Sequence, residues 1–444
     1  MIVNNPVHRR KLSLAIELSL VLMVIYSLIN VILFFKDQGF LPPPFFRSPN
    51  DTLMDWYNVA YWSNNPGAYY SYMSVYPPIS FDFLRLFAIH SCYRFDSGFS
   101  RDCDWVGRVV LCSFYLLGTV LVYQVYRKRD PRTALMRAIT IALGLPMLFA
   151  LERGQLVIVC FVFFVLGQGR LLRSAWARWL CLAIAINFKP YLIATLLPQA
   201  LRRRWRWLEG AVLATIVVYL ITYGILGAGS PFEIIENQLA YSNPKVDGLF
   251  DSATYATTYT IIVQLLKSTF PFMTFLGSRP LEFMETLFPA LMRLGQAGVA
   301  LCFLGALIKP NAVPLYRLTA LSTALFLTTI NAGGYAQVFL FFLVFLEPWR
   351  GVGRIVALVT VYALSLSTDV ALLPIAHDAE VSWLSNRFVG IDLSVQLGEL
   401  IRPALILVIE YALIGMSLAD IMRASRPTLP RQAPLRAPIP IPGV

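Results

Sequence analysis

Apolar runs long enough to cross a lipid bilayer recur from one end of this chain to the other, and they leave it very few folds. The first spans about 13–35. Others lie near 106–126, 133–151, 155–169, 177–190, 191–201, 208–228, 286–308, 315–332, 335–349, 352–373 and 398–418. About 30 Å of hydrocarbon takes roughly 20 apolar residues in a helix. Lipid offers no partner to a backbone N–H or C=O, so a spanning segment is a helix or part of a closed barrel. The short alternating strands of a barrel are absent from the pattern. The expected fold is an all-α polytopic membrane bundle of about twelve transmembrane helices. Pro146, Pro190 and Pro198, with the shortness of their runs, predict that some spans are broken or paired half-helices. Charged residues are 14% of the chain, against roughly 25% in soluble domains.

The net charge of +12 could suggest nucleic acid, but the basic residues sit in short clusters between apolar runs, so nucleic acid is not an expected partner. Arg9, Arg10 and Lys11, then Arg127, Lys128 and Arg129, then Arg202, Arg203, Arg204 and Arg206 fall on one side by alternation. The positive-inside rule makes that side cytoplasmic. Both termini are then expected in the cytoplasm, with the protein in the cell (inner or plasma) membrane. The first run is too long for a signal peptide and lacks a small-residue cleavage site. Glu17, near its cytoplasmic end, is expected to snorkel.

One transmembrane domain is expected over 1–422, with a disordered cytoplasmic tail over 423–444 rich in Pro and Arg. Its first extracytoplasmic loop, expected to be structured, is 36–105 and its second 229–285, the latter carrying a re-entrant or surface helix interrupted by Lys267 and Pro271. A smaller outer segment is 374–397. Cys92 and Cys103 fall in the first loop, where an oxidising compartment would let them form a disulfide.

Four polar constellations fall on the outer side. The first loop carries Asp51 and Asp55, four residues apart and so on one face of a helix, among Trp56, Tyr57, Tyr61, Trp62 and Tyr76. Such acids are either solvated or available as a general base, and such rings form either an interfacial belt or a platform for a sugar. Glu152-Arg153-Gly154-Gln155 is either a hairpin turn or an ionisable site at the membrane face. Lys189 of Asn187-Phe188-Lys189-Pro190-Tyr191 either snorkels or meets an anionic phosphate. Asn331-Ala332-Gly333-Gly334-Tyr335-Ala336-Gln337 is a Gly-rich turn between two spans. The cytoplasmic loops hold no Gly-rich phosphate loop, which disfavours ATP or a cytosolic nucleotide sugar. His8, His90 and His377 are scattered and form no metal or triad pattern.

In these residues the chain resembles the polyprenol-phosphate-mannose-dependent mannosyltransferases of glycosyltransferase family 87, within the GT-C class of integral membrane enzymes. The resemblance rests on Asp55-Trp56-Tyr57, Tyr76-Pro77-Pro78, Gly154-Gln155, and Lys189-Pro190-Tyr191 followed by Arg202-Arg203-Arg204-Trp205. It covers residues 1–270. Where the family shows a Trp- and His-bearing outer turn, this chain has Asn331 to Tyr335 without histidine.

The resemblance implies a GT-C-like bundle and inverting transfer of a sugar, mannose in the family, from a polyprenyl-phosphate donor to an envelope glycan or glycolipid. Asp55 would be the general base, with Asp51 in reserve. Lys189 and Arg153 would face the departing phosphate, and Tyr57, Tyr76, Gln155, Tyr191, Asn331, Tyr335 and Gln337 would bind substrate. No cofactor or metal is implied, since the lipid-linked sugar is a substrate and side-chain cations can hold a monophosphate. Two other classes share many spans and an outer polar loop: a transporter or flippase of a lipid-linked saccharide, and an O-antigen-type polymerase or ligase. The first is disfavoured by the lack of an internal repeat, the second because the largest outer loop comes first.

Overall fold

The computed structural model describes residues 6–45, 48–241, 256–267 and 277–425. The chain is mostly helical. Among the described residues six helices are long and apolar enough to cross a membrane: Lys11–Gln38, Trp105–Arg129, Ala134–Arg153 (which bends at Gly144), Trp205–Leu226, Ser278–Ile308 and Leu397–Ser425. The polytopic helical class is therefore as expected, and six such helices rather than twelve are found among the described residues.

The remaining apolar runs form shorter helices, including Val157–Gln168, Ala175–Phe188 and Val352–Leu364. Twelve residues at 1.5 Å each reach only about 18 Å. Val157–Gln168 escapes the length requirement because nearly its whole surface is covered by protein. It packs between Trp105–Arg129 and Ala175–Phe188, and Phe161 and Phe164 close on Phe339 and Phe342. Elsewhere small residues let helices approach closely. A Cβ on Gly298 or Gly305 of Ser278–Ile308 would stand 2.8 Å from Ile414 or 2.7 Å from Ile421 of Leu397–Ser425.

Two buried ion networks tie the end of the bundle remote from 36–105. Glu17 does not snorkel: it is fully buried, with Oε1 taking Arg137 Nε at 2.6 Å and Tyr362 Oη at 3.0 Å. Arg317, also fully buried, bonds Glu347 at 2.5 and 2.8 Å and Asp420 at 2.6 Å, and Arg354 adds a bond to Glu347 at 2.9 Å. A charge this deep persists because paired carboxylates replace its water.

The expectation of an all-α protein is corrected at one place. All of the expected outer segment 374–397 but its last residue belongs to an antiparallel β-hairpin, β1 Ala371–Ser382 and β2 Arg387–Gln396, that leads into Leu397–Ser425. Strand β2 alternates, with Val389 and Ile391 buried while Phe388 and Asp392 face out, the period of a half-covered strand. Its buried side packs on Val31, Phe40, Phe45 and Phe149.

The described residues of 36–105 are structured. Helices Met54–Asn64, Pro78–Leu86 and Ser97–Cys103 fill the segment, and Cys92 is disulfide-bonded to Cys103. Asp104 caps Trp105–Arg129 through the N–H groups of Val106 and Gly107. In the expected re-entrant stretch Tyr259–Lys267 is helical and packs against Ser278–Ile308; 268–276 lies outside the described residues. Of the expected disordered tail, 423–425 completes the last helix, and 426–444 lies outside the described residues.

Candidate active site

Asp51 and Asp55 meet on one arginine. Met54–Asn64 opens one residue before Asp55, so that carboxylate lies in the first turn, where the helix dipole favours a negative charge. Arg153, the last residue of Leu145–Arg153, donates Nη2 to Asp55 Oδ1 at 2.9 Å and Nε to Oδ2 at 3.2 Å, while Nη1 bonds Asp51 Oδ2. Gln155 Nε2 also donates to Asp55 Oδ2. Three donors occupy three of the roughly four acceptor positions of the Asp55 carboxylate.

The approach of the two segments is fixed by backbone. Leu53 N–H donates to the Glu152 carbonyl at 2.7 Å, with Leu53 at φ 65°. Gly154 follows at φ 68°, where an added Cβ would stand 2.9 Å from the Leu53 carbonyl and from Trp56 Cβ. The Gly154-Gln155 pair noticed in the sequence thus has a steric reason. Beside it Glu152 is buried next to Thr52.

Burial raises the pKa of Asp51 above its ordinary value, and the charge of Arg153 opposes that shift. Arg153, expected against a phosphate, has its charge committed to the two acids. Lys189 is differently placed. Its ammonium lies 4.7 Å from the ring centre of Tyr76 and 5.8 Å from that of Tyr335, and no ion pair to it occurs among the described residues. Asp55 is close enough for its charge to be felt at Lys189. Tyr335 stacks on Phe149 at 5.8 Å. Tyr191 packs on Phe326 at 4.7 Å, and its buried hydroxyl, near Tyr76, has no hydrogen-bond partner among the described residues.

The remaining expected residues divide. Tyr57 is not with Asp55: two residues along a helix turn the side chain by about 200°. Its hydroxyl donates to the Asp104 carbonyl at 2.6 Å, and the ring is 1% exposed. Its role is to brace the loop against Trp105–Arg129. Asn331 Oδ1 accepts from the Thr257 N–H at 3.5 Å. Gln337 lines a separate apolar hollow with Pro44, Leu145, Pro146, Phe149 and Arg402, behind the stacked Tyr335. Among the described residues no group of three or more His, Cys, Asp or Glu stands where it could hold a metal ion.

Two further residues at the site, Arg101 and Trp383, belong to no motif in the sequence. Arg101 donates to the carbonyls of Asn50 and Thr52 on either side of Asp51, and the Trp383 ring lies against its guanidinium. The one signal was that Arg101 stands two residues before Cys103. No protein-family model matches this chain, and neither a curated protein nor a solved structure is significantly similar to it.

Proposed function

We propose that the protein is an integral membrane glycosyltransferase that moves a sugar from a polyprenyl-phosphate donor to a glycan or glycolipid hydroxyl on the extracytoplasmic face. The observation that carries this reading is an ammonium with no ion-pair partner among the described residues, near a pair of carboxylates that one arginine half-neutralises. Lys189, between Tyr76 and Tyr335, offers a positive charge to a phosphate monoester. Asp55, oriented by Arg153 and Gln155, takes the proton of the acceptor hydroxyl as its oxygen attacks the anomeric carbon. The bond from that carbon to the phosphate oxygen breaks, and the electron pair stays on that oxygen as the lipid phosphate departs against the Lys189 ammonium. Attack from the face opposite the leaving group inverts the anomeric centre.

Purified protein incubated with a panel of polyprenyl-phosphate sugars and acceptors should release free polyprenyl phosphate and form a new glycosidic bond. Asp55→Asn should abolish both while leaving the protein folded. Equal loss from Asp51→Asn alone, with Asp55→Asn active, would move the base role to Asp51. Movement of the lipid-linked sugar across vesicles without bond formation would instead favour a transporter.

A further inference from the structure

We propose that Arg101 is a positioning residue for the acidic loop of the site, and that the tip of the β-hairpin, at Trp383, holds Arg101 in place. The proposal rests on Asp51 and Asp55 being the working carboxylates.

Arg101 lies in Ser97–Cys103, the short helix whose final residue is tied to Cys92, and it is 4% exposed. Its Nη1 donates to the carbonyls of Asn50 and Thr52, the latter at 3.0 Å, and Nη2 to Asn50 Oδ1 at 3.1 Å. These are the residues on either side of Asp51. A planar guanidinium presents its donors in a fixed fork, so all three acceptors are held in one geometry, which the rotatable donors of an ammonium would not impose. Arg101 therefore sets the backbone from which Asp51 projects without touching the Asp51 carboxylate.

The hairpin closes over this grip. The ring of Trp383 lies 4.8 Å from the Arg101 guanidinium carbon, and its Nε1 donates to Asp102 Oδ1 at 2.7 Å. The Trp383 N–H donates to the Pro49 carbonyl at 3.1 Å, and Ser48 Oγ donates to Glu380 Oε2 at 2.6 Å. Residues 48–52 are thus held between a disulfide-tied helix and a hairpin more than three hundred residues later in the chain. The loop needs such a hold. Leu53 sits at φ 65°, a left-handed conformation that costs an ordinary side chain roughly 1–2 kcal/mol. Released, it would relax and carry Asp51 and Asp55 off Arg153. The charge of Arg101 also acts on Asp51, against the effect of burial.

The test uses full-length protein carrying Arg101→Gln, Arg101→Lys or Trp383→Ala, with two readouts. In hydrogen exchange, Arg101→Gln should speed residues 49–56 by about tenfold or more, Trp383→Ala and Arg101→Lys by less, with 157–168 unchanged. In the transfer assay, Arg101→Gln should lower kcat more than it changes KM, and Arg101→Lys should lower it less. Unchanged exchange at 49–56 overturns the proposal, as does equal acceleration at 157–168 or a loss in Arg101→Gln confined to KM. If the unmodified protein transfers no sugar, the glycosyltransferase reading fails, and the exchange measurement alone decides whether Arg101 holds the loop.

Discussion

Lys189 holds its ammonium 4.7 Å from the centre of the Tyr76 ring, a cation against an aromatic face. Such a contact offsets only part of the cost of removing an ammonium from water, about 0.5–2 kcal/mol. The charge is therefore kept at some expense in stability, as expected of a group that awaits an anion. Lys189→Met should leave the melting temperature unchanged or raise it, while sugar transfer falls by on the order of 10²–10³. A fall in melting temperature together with undiminished transfer would make Lys189 a packing residue.

Gly154 cannot be replaced without cost. Its φ of 68° and the 2.9 Å approach of the Leu53 carbonyl to an added Cβ both oppose a side chain. Gly154→Ala should destabilise the protein by about 1–3 kcal/mol and abolish transfer, because Arg153 would be pushed off Asp51 and Asp55. Thermal melts in detergent and the lipid-phosphate release assay check the two effects separately.

Burial pushes Asp82, in helix Pro78–Leu86 of the first loop, up to about 6. Its folded pKa exceeds its unfolded one, so the folded state binds the proton more tightly and is favoured at low pH. This contribution is fully present below the ordinary carboxylate value of 3.8. It declines as pH rises through about 6. Asp82→Asn should therefore raise the melting temperature at pH 7.5 and change it little at pH 4. An equal change at both values would rule out titration of Asp82 as the cause.

Arg317 joins Ser278–Ile308's neighbour Leu315–Thr329 to Glu347 and to Asp420 of the last helix. Arg317→Met should cost about 3–5 kcal/mol, because it leaves the Asp420 and Glu347 carboxylates short of a buried partner. Adding Glu347→Gln should recover part of that loss. Additive losses in the double variant, measured by denaturation in detergent, would show that the pair does not act as a unit.

How much of this was legible in the sequence follows from what determines each feature. The long apolar helices could be read because lipid imposes both their length and their composition. The ring of residues around Asp55 could be read as types: Asp51, Arg153, Gln155 and Lys189 were all singled out, and the fold brings them together. Their pairing could not, since Arg153 looks equally suited to a phosphate and to a carboxylate until the left-handed turns at Leu53 and Gly154 fix which it meets. Tyr57 was misplaced because its neighbourhood in sequence was taken for neighbourhood in space. The hairpin left only a faint trace, the alternation of Phe388, Val389, Gly390, Ile391 and Asp392, because a ten-residue strand is far shorter than the bilayer-length runs around it. Arg101 and Trp383 were out of reach, since 281 residues separate the partners Asp102 and Trp383 and nothing local announces the contact.

The covered helix Val157–Gln168 has a consequence for how the chain enters the bilayer. A segment of 12 residues, apolar on every side, is too brief to be recognised alone as a membrane-crossing unit during synthesis. Its lodging must wait until Trp105–Arg129 and Ala175–Phe188 stand beside it. Biogenesis is thereby ordered: the six long helices can partition one at a time, whereas the interior ones are admitted only as members of a group.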